Sequence, residues 1–481
     1  MSKSLQDLID AAGGDPLAHL RSRKYDLLGP QQYSPAQLVP QLPFEFSNWD
    51  REGRAWHERV ALLDQTHHME GLHVQGPDAQ AFLSTLACND LSNAQPGRAH
   101  QMVLTTERGH LIGEDILFHY GPNHFYLCGV PFAINWVRYQ AERGDWNVDL
   151  RFDGPRSPIY ANGHASQREY CRYQIQGPSA WALIEKLNDG PVEQVGFFRL
   201  TELKIGRRKV HALRHGMGGA PGLEIWAPFE WRDELRETIV EAGQEFGISL
   251  VGAGVYPLTG IESGYLQWCL PGIYSGDELA DYRRWLGAGE MEGQNRLGGS
   301  HVLANVEDYY MTPYEFGYGF LVKLNHEFIG YDALKAMDIE ATARKKVTIQ
   351  WNPDDTAGLL REMLTPGAER IRNLHLPVPS DKTDITYDTI TVDDVPMGTG
   401  HTTGYSPSQQ SLLTLSLVDP RVEIGQEVVL HWGEAGGGYG DRTVESKPTR
   451  EIRGIVSPAP FTQIAREQYT PGWRNKAAVS L

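Results

Sequence analysis

The 481-residue chain has few cysteines, no long apolar run and a shortage of basic residues. Its four cysteines are widely spaced and form no Cys-x-x-Cys motif, which argues against a disulfide framework or a zinc site. No run approaches the roughly 18 apolar residues that a membrane span needs. The first residues contain no apolar segment typical of a signal peptide. We therefore expect a cytoplasmic protein that is not embedded in a membrane.

Acidic residues outnumber basic ones by 61 to 44, which gives a net charge of −17. Such a surface repels nucleic acid and anionic membranes, so neither is expected as a partner. The length allows two or three domains with a large buried core. The composition is otherwise that of an ordinary globular protein, with 41% hydrophobic residues.

Two near copies, 101 residues apart, indicate an internal duplication: Gln75-Gly-Pro-Asp-Ala-Gln-Ala-Phe-Leu83 and Gln176-Gly-Pro-Ser-Ala-Trp-Ala-Leu-Ile184. In each copy a strand runs into glycine, and proline occupies the first helical turn, where its missing N–H costs nothing. Apolar residues at helical spacing follow. The repeat predicts two related α+β halves that share a sheet.

Composition changes along the chain suggest four regions. Residues 1–45 read as an N-terminal arm with a capped helix at Ser4–Ala12 and a proline-rich loop. Residues 46–340 hold the duplicated region, and residues 341–388 form a connecting segment with a polar insert, Asn352–Asp384. Residues 389–481 alternate short strand candidates with turns, which predicts a C-terminal β-barrel.

One stretch carries a family pattern: Pro313-Tyr-Glu-Phe-Gly-Tyr-Gly-Phe-Leu-Val-Lys-Leu-Asn-His-Glu-Phe-Ile-Gly-Tyr-Asp-Ala-Leu334. It predicts an acidic turn, a strand from Tyr318 to Leu324 and a helix starting at Asp332. This stretch resembles the folate-binding aminomethyltransferase family, which includes the T-protein of glycine cleavage. The resemblance implies an enzyme that transfers a one-carbon unit with tetrahydrofolate as cofactor. Because folate is an anion, its site must be a local exception to the acidic surface.

The same resemblance implies the architecture. We expect an α+β fold of three domains arranged as a cloverleaf around a central folate channel. The three parts are the duplicated α+β body, a small antiparallel α+β unit and the C-terminal β-barrel.

A second motif, Arg214-His-Gly-Met-Gly-Gly-Ala-Pro-Gly-Leu-Glu-Ile-Trp226, places a glutamate after a glycine-rich turn. A pterin ring presents an edge of N–H donors, and a carboxylate can accept two of them side by side. In the resembled family the matching segment supplies the pterin-binding carboxylate, which corresponds to Glu224. A surface glutamate is the alternative interpretation. We also assign Met217, Trp226 and Tyr265 to the cofactor site.

A third motif, Gly252-Ala-Gly-Val-Tyr-Pro-Leu-Thr-Gly-Ile-Glu-Ser-Gly264, departs from the family pattern. Two arginines are replaced, by Tyr256 and Gly260. This departure resembles one branch, the tetrahydrofolate-dependent aryl O-demethylases of vanillate, syringate and 3-O-methylgallate, with sesamin-type methylenedioxyphenyl-cleaving enzymes as close relatives. In that branch the tyrosine matching Tyr256 is catalytic, and a phenol can donate a proton to a departing oxygen. A tyrosine that merely fills space is the alternative.

The resemblance to that branch also implies the substrate pocket, which Gln65 and His68 are expected to line. His68 is a candidate catalytic residue as well, whereas the pair His67-His68 lacks a third ligand, so no metal is predicted. Val130 replaces an arginine that holds the benzoate carboxylate in vanillate-type enzymes. Valine cannot pair with a carboxylate, so either another cation does so or the substrate has no acid group.

Two acidic residues, Glu114 and Asp115, lie where glycine-cleavage members carry a catalytic aspartate. Either could be the equivalent residue, and neither is assigned a catalytic role.

The predicted function is cleavage of an aromatic ether, in which the one-carbon group of a methoxy- or methylenedioxy-aromatic moves to N5 of tetrahydrofolate and a phenol or catechol is released. Val130 favours a substrate without a carboxylate, for example a lignan such as sesamin. The alternative is an O-demethylase of syringate, vanillate or 3-O-methylgallate that gives 5-methyltetrahydrofolate. A non-catalytic folate-binding protein is a more distant alternative. Glycine cleavage is disfavoured by the missing arginines, so no lipoyl protein is required as a partner.

Overall fold

The computed structural model describes residues 42–67, 69–153, 168–266, 269–287, 290–295, 297–374, 376–377, 385–435 and 447–473. The helix predicted at Ser4–Ala12 and His68 lie outside these residues. No helix within them is long and apolar enough to cross a bilayer.

The strands are β1 (Val60–Asp64), β2 (Glu70–Gln75), β3 (Ala99–Thr105), β4 (Leu111–Gly121), β5 (His124–Gly129), β6 (Asp149–Phe152), β7 (Tyr170–Gln176), β8 (Leu200–Ile205), β9 (Arg208–Leu213), β10 (Gly222–Pro228), β11 (Ile248–Leu250), β12 (Leu297–Gly298), β13 (Lys345–Trp351), β14 (Ile385–Thr386), β15 (Asp388–Val392), β16 (Val395–Ser406), β17 (Ser411–Val418), β18 (Glu427–Glu434) and β19 (Lys447–Pro458).

The helices are α1 (Trp49–Glu58), α2 (Ala79–Leu86), α3 (Pro131–Arg143), α4 (Ala180–Leu187), α5 (Arg232–Gly243), α6 (Leu258–Ser263), α7 (Ala280–Trp285), α8 (Met291–Gln294), α9 (Pro313–Phe316), α10 (Tyr331–Ala336), α11 (Ile339–Thr342) and α12 (Pro353–Met363). Short 3-10 turns occupy Phe229–Trp231, Gln244–Phe246, Asp277–Leu279, Val306–Tyr309 and Gly319–Leu321, and a π-helical segment spans Ile464–Trp473.

The duplication seen in the sequence is a duplication of topology. The first sheet has the strand order β3-β4-β5-β2-β6, and the second has the order β8-β9-β10-β7-β1-β11. Strands β2, β3, β4 and β5 correspond one to one to β7, β8, β9 and β10. In each copy a helix follows the first and the last of these four strands along the chain, α2 and α3 in one copy and α4 and α5 in the other. Each copy buries its own apolar core beneath those helices. Because each core is complete, the copies form two sheets, and the expectation of one shared sheet was wrong.

The repeated Gly-Pro step has a steric cause at both positions. Gly76 has φ +139° and Gly177 has φ +132°, in the region that favours glycine. A Cβ at Gly76 would lie 2.2 Å from the Asn147 carbonyl oxygen, and one at Gly177 would lie 2.6 Å from that of Arg59. The glycines therefore let each strand turn into its helix against a neighbouring backbone.

The C-terminal barrel is closed, with strand order β13-β17-β16-β15-β18-β19. Strand β13 lies in the segment 341–388 that we interpreted as a connector, so a barrel starting at residue 389 begins too late. In β13 the apolar side chains of Val347, Ile349 and Trp351 are buried in the barrel core at alternate positions, and Thr348 between them is buried as well. The polar insert also contains a helix, α12, which Asn352 caps by accepting N–H bonds from Asp354 and Asp355.

The family segment at residues 313–334 differs from its predicted structure. Instead of a strand from Tyr318 to Leu324, it forms helix α9 and the 3-10 turn Gly319–Leu321. A capping box between Thr312 and Glu315 starts α9, and the left-handed Gly317 ends it at φ +96°. The chain therefore turns twice and pairs with no strand there, whereas α10 begins at Tyr331, one residue before the expected start.

Two buried ionic clusters hold the barrel in place. Glu262 on α6 accepts bonds from Trp56 Nε1 at 2.9 Å and from Ser406 Oγ of the barrel at 2.5 Å, and lies 2.7 Å from His57 Nε2. Inside the barrel region, Arg372 pairs with Asp388 and Glu434.

Candidate functional site

A cavity of about 800 Å³ lies between the two sheets, the turn at residues 317–321 and the barrel. Both repeats, the barrel and the C-terminal segment contribute to its wall. The polar, ionisable and apolar residues of the wall include Gln65, Arg98, His100, Glu114, Asp115, Val130, Arg172, Arg199, His215, Met217, Glu224, Tyr256, Tyr265 and Lys346.

Tyr256 lies in this wall, just before α6. Its side chain is 1% exposed, and its hydroxyl is 3.8 Å from Met217 Sδ. Burial raises the pKa of Tyr256 well above its ordinary value. The neighbouring Gln65 side chain opposes this shift by stabilising the ionised form. Tyr256 therefore remains a protonated phenol that faces the cavity at any physiological pH.

Glu224 faces the cavity from β10 and is 2% exposed. Arg172, on the adjacent strand β7, forms an ion pair with its Oε1, and His215 Nδ1 lies 3.3 Å from its Oε2. Burial raises the pKa of Glu224 to about 8. The Arg172 guanidinium acts in the opposite direction, because a neighbouring positive charge favours the carboxylate.

Met217 lies in the glycine-rich turn that precedes β10. Its backbone N–H donates to Gln174 Oε1 at 3.1 Å, and Gln65 Nε2 lies 3.5 Å from both that oxygen and Met217 Sδ. The structure thus brings together Gln65, Met217, Glu224 and Tyr256, which the sequence assigned to substrate binding, cofactor binding and catalysis.

The remaining predicted residues are placed differently. Tyr265 lies in the cavity wall, where its hydroxyl donates to Glu114. Trp226 does not reach the cavity, because its ring packs between the sheets, 5.1 Å from the Phe118 ring and 5.6 Å from His211. His68 lies outside the described residues.

Val130 forms an apolar part of the wall and packs with Phe132 and Met291. Next to it, Asp115 is 1% exposed, and burial together with Glu114 raises its pKa well above the ordinary value. A substrate carboxylate directed at Val130 would meet hydrocarbon and the acidic residue Asp115.

Glu114, Tyr265 and Lys346 form a group that the sequence did not predict. Burial raises the pKa of Glu114 to about 7, while Tyr265 and Lys346 favour its ionised form. Lys346 is fixed by donating to the Phe316 carbonyl at 2.8 Å. Because Lys346 lies on β13, in the presumed connector, no local signal tied it to the site.

Within the described ranges, no group of three or more His, Cys, Asp or Glu side chains could hold a metal ion.

The profile of the GCVT N-terminal domain matches residues 22–270. Syringate O-demethylase of a Sphingobium species is 37% identical over 480 residues, covering 99% of this chain and 100% of the relative. The chain belongs to the GCVT family. Another relative, sesamin methylene transferase of a Sinomonas species, is 24% identical over 414 residues, covering 82% of this chain and 84% of that protein.

The GCVT fold is confirmed by a solved structure. Glycine cleavage system aminomethyltransferase T from Bartonella henselae superposes with a TM-score of 0.59 at 17% identity, covering 93% of this chain and 97% of that one. The predicted three-part α+β architecture with a terminal barrel is therefore correct.

Tetrahydrofolate is the cofactor of this GCVT branch, and the cavity wall fits a pterin. A carboxylate offers about four acceptor positions. Arg172 and His215 each engage one oxygen of Glu224. Positions therefore remain for the adjacent N–H donors of a pterin edge, in a cavity that also has the thioether of Met217 in its wall.

Proposed function

We propose that this GCVT-family enzyme is an aryl O-demethylase that removes a methyl group from a methoxylated phenol and passes it to tetrahydrofolate. The observation that carries the proposal is the buried Tyr256 hydroxyl, which faces the same cavity as the carboxylate of Glu224. The full-length similarity to syringate O-demethylase supports the same reaction class.

Glu224 and Met217 would hold the cofactor at one end of the cavity, and Gln65, whose Nε2 lies 3.5 Å from Met217 Sδ, would line the adjoining aromatic pocket. Tetrahydrofolate, when bound, supplies a nucleophilic N5 that accepts the one-carbon group. The ion pair with Arg172 orients the Glu224 carboxylate, since a guanidinium holds a carboxylate in a fixed plane.

Tyr256 would stabilise the departing aryl oxygen. Its hydroxyl has the thioether of Met217 nearby, and a thioether is a weak acceptor that an ether oxygen can displace. As the methyl–oxygen bond breaks, negative charge develops on that oxygen, and the hydrogen bond from Tyr256 strengthens. Because burial disfavours the phenolate of Tyr256, this hydroxyl stabilises the charge by a hydrogen bond and keeps its own proton.

The released phenol also needs a proton to become neutral. Glu114 and Asp115 lie in the same wall, and both hold protons to higher pH than ordinary carboxyls do. We propose that Glu114, whose pKa is near 7, supplies this proton and recovers one from solvent between turnovers.

The experiment that tests the function is turnover by Tyr256→Phe, with syringate and tetrahydrofolate as reactants. Removing the hydroxyl should lower kcat by about 10²- to 10³-fold, the effect of losing one hydrogen-bond donor to a developing oxyanion, while the Kd for tetrahydrofolate stays nearly unchanged because the ring remains. The release of phenol and the formation of 5-methyltetrahydrofolate are followed by chromatography. Tyr173→Phe is the matched control, since Tyr173 is equally buried but donates to the Arg232 carbonyl outside the cavity. Normal turnover by Tyr256→Phe would exclude the hydroxyl from the reaction.

Val130 favours a second candidate, the opening of a methylenedioxyphenyl ring to a catechol. Rings of this kind occur in substrates without a carboxylate, and the apolar wall at Val130, Phe132 and Met291 would accept them. A panel of syringate, vanillate, 3-O-methylgallate, guaiacol and sesamin separates the candidates. Formation of 5,10-methylenetetrahydrofolate from sesamin would support the second, and 5-methyltetrahydrofolate alone would support the first.

We further propose that the reaction takes place in the cytoplasm and needs no lipoyl protein, nucleic acid or membrane. The acidic net charge of −17 supports the absence of polyanionic partners.

A further inference from the structure

Two arginines face each other where the two repeats meet. Arg98 precedes β3, Arg199 precedes β8, and the two positions are 101 residues apart, as are the copies of the Gly-Pro motif. They are paired by an antiparallel bridge that joins the two sheets. Both side chains contribute to the cavity wall.

The hydrogen bonds around this bridge fix how the side chains are related. Ala99 N–H donates to the Phe198 carbonyl at 2.9 Å, and Leu200 N–H donates to the Gly97 carbonyl at 3.1 Å. These bonds flank Arg98 and Arg199, which makes the arginines a non-hydrogen-bonded pair. In such a pair the side chains leave the same face with Cβ atoms about 5 Å apart.

The backbone on the outer side of the pair is also held. His119 N–H donates to the Arg98 carbonyl at 3.2 Å, and Arg214 N–H donates to the Arg199 carbonyl at 3.1 Å. The backbone of both arginines is therefore held in place, and the closeness of their Cβ atoms is a property of the fold.

Placing like charges directly opposite each other on a sheet is unfavourable. By contrast, Arg172 is paired with Glu224, and Arg232 is paired with Asp64. In the described part of the chain neither Arg98 nor Arg199 forms an ion pair with an acidic side chain, and Arg98 Nε is buried without a hydrogen-bond partner. Burial and the charge of Arg199 lower the pKa of the Arg98 guanidinium.

The third polar group nearby adds no negative charge. His100 also lies in the cavity wall, and burial together with Arg98 lowers its pKa to about 4, so it is neutral at pH 7. In a protein with a net charge of −17, the half-buried Arg98 and the exposed Arg199 thus stand at one part of the cavity wall, and no acidic side chain of the described residues pairs with either.

We infer that Arg98 and Arg199 form a carboxylate-binding subsite at the junction of the two repeats. Two facing guanidinium groups can each direct N–H donors at one carboxylate, or at two carboxylates of one ligand. The inference rests on the proposed function for the source of the carboxylate. That source is either the glutamate tail of the folate or the acid group of a benzoate substrate, which Val130 does not bind.

The test uses two pairs of ligands that differ in the carboxylate. The first pair is tetrahydrofolate and 6-methyltetrahydropterin, which lacks the benzoylglutamate tail. The second pair is syringate and 2,6-dimethoxyphenol, which lacks the acid group. Affinities are measured by calorimetry on the full-length protein and on Arg98→Gln and Arg199→Gln. Arg207→Gln is the control, because Arg207 is an exposed arginine that pairs with Glu234 on the surface.

Each subsite variant should weaken the carboxylate-bearing ligand of one pair by about 10-fold and leave its partner within about two-fold. A loss for tetrahydrofolate identifies the folate tail, and a loss for syringate identifies the substrate. The inference is overturned if all four ligands keep their affinity, or if ligands with and without the carboxylate weaken equally.

Two further measurements distinguish loss of the subsite from loss of the fold. Removing one of two facing charges should not lower the unfolding temperature of the free protein, and Arg98→Lys, which keeps the charge, should retain most of the affinity. If the wild-type protein binds neither pterin, the proposed function fails, whereas the subsite is still judged by the syringate pair.

Discussion

Replacing Glu114 by glutamine should change how the stability of the protein depends on pH. Glu114 is buried, and its pKa is raised from 4.5 to about 7, mainly by burial. Between these two values the folded protein holds a proton that the unfolded chain has released. Stability should therefore fall as the pH rises from about 4.5 to about 7 and stay level above that range. The Glu114→Gln variant has no such proton, so it should escape this loss.

The size of the effect follows from the two pKa values. A change from 4.5 to about 7 corresponds to at most about 3 kcal/mol, at 1.36 kcal/mol per pH unit. The variant should gain this amount relative to the wild type between acidic and alkaline pH. Gln Oε1 can still accept the hydrogen bond from Tyr265, so the substitution keeps the local contact. Removing the Glu114 charge also lowers the pKa of Asp115, which adds an effect of the same sign.

The assay is urea unfolding of both proteins at intervals from about pH 5 to about pH 8, in which the difference between them is followed. Other buried carboxyls, such as Glu224, contribute equally to the two proteins and cancel. In parallel, kcat of the wild type should decline above pH 7, whereas the variant should lose this limb together with most of its activity. A difference in stability that is the same at both ends of the pH range would show that Glu114 titrates normally. The cavity wall would then be wetter than its burial indicates, and Glu114 would not be the proton donor.

Two substitutions should reveal what holds the barrel in place. Glu262→Gln removes the charge that Ser406, Trp56 and His57 surround, and should destabilise the protein by about 2 kcal/mol. Limited proteolysis should then cleave the chain between the body and the barrel faster than in the wild type. Unchanged digestion would refute this. Arg372→Met should cost about 3–5 kcal/mol, because it removes a buried guanidinium that forms ion pairs with Asp388 and Glu434. Differential scanning calorimetry should show a lower unfolding temperature, and an unchanged unfolding temperature would refute this.

Much of the fold could be predicted because local signals reported it. The Gly-Pro repeat marked equivalent strand–helix turns, since only glycine fits against the Asn147 and Arg59 carbonyls. The barrel was recognised by its alternating strands but not its first strand, because β13 is separated from the others by helix α12 and the polar insert. The 3-10 turn Gly319–Leu321 was predicted as a strand because its residues are apolar. In the structure Phe320 and Leu321 line the cavity instead of a sheet.

The site was predicted in part for the same kind of reason. Glu224, Met217, Gln65 and Tyr256 lie within motifs, and the structure brings them together. Trp226 lies two residues after Glu224, on the same face of β10. Its ring nevertheless packs against Phe118 of the other sheet and does not line the cavity.

Other members of the site could not be found from motifs. Lys346 reaches the cavity from the barrel, so only tertiary structure brings it to Glu114. Arg98 and Arg199 did carry a signal, their spacing of 101 residues, which becomes visible once the repeat is extended past the Gly-Pro motif.

The matching strand orders of the two sheets have a consequence for how a cavity of this kind can arise. Two identical units facing each other would present the same chemical groups on both sides of the cavity. The two sides could then not select different ligands. Here β10 of the second unit places the carboxylate of Glu224 in the cavity wall. The corresponding strand of the first unit, β5, is followed by the apolar side chain of Val130. Fusion of the copies into a single polypeptide permits them to diverge, so that the two sides of the cavity present different chemical groups.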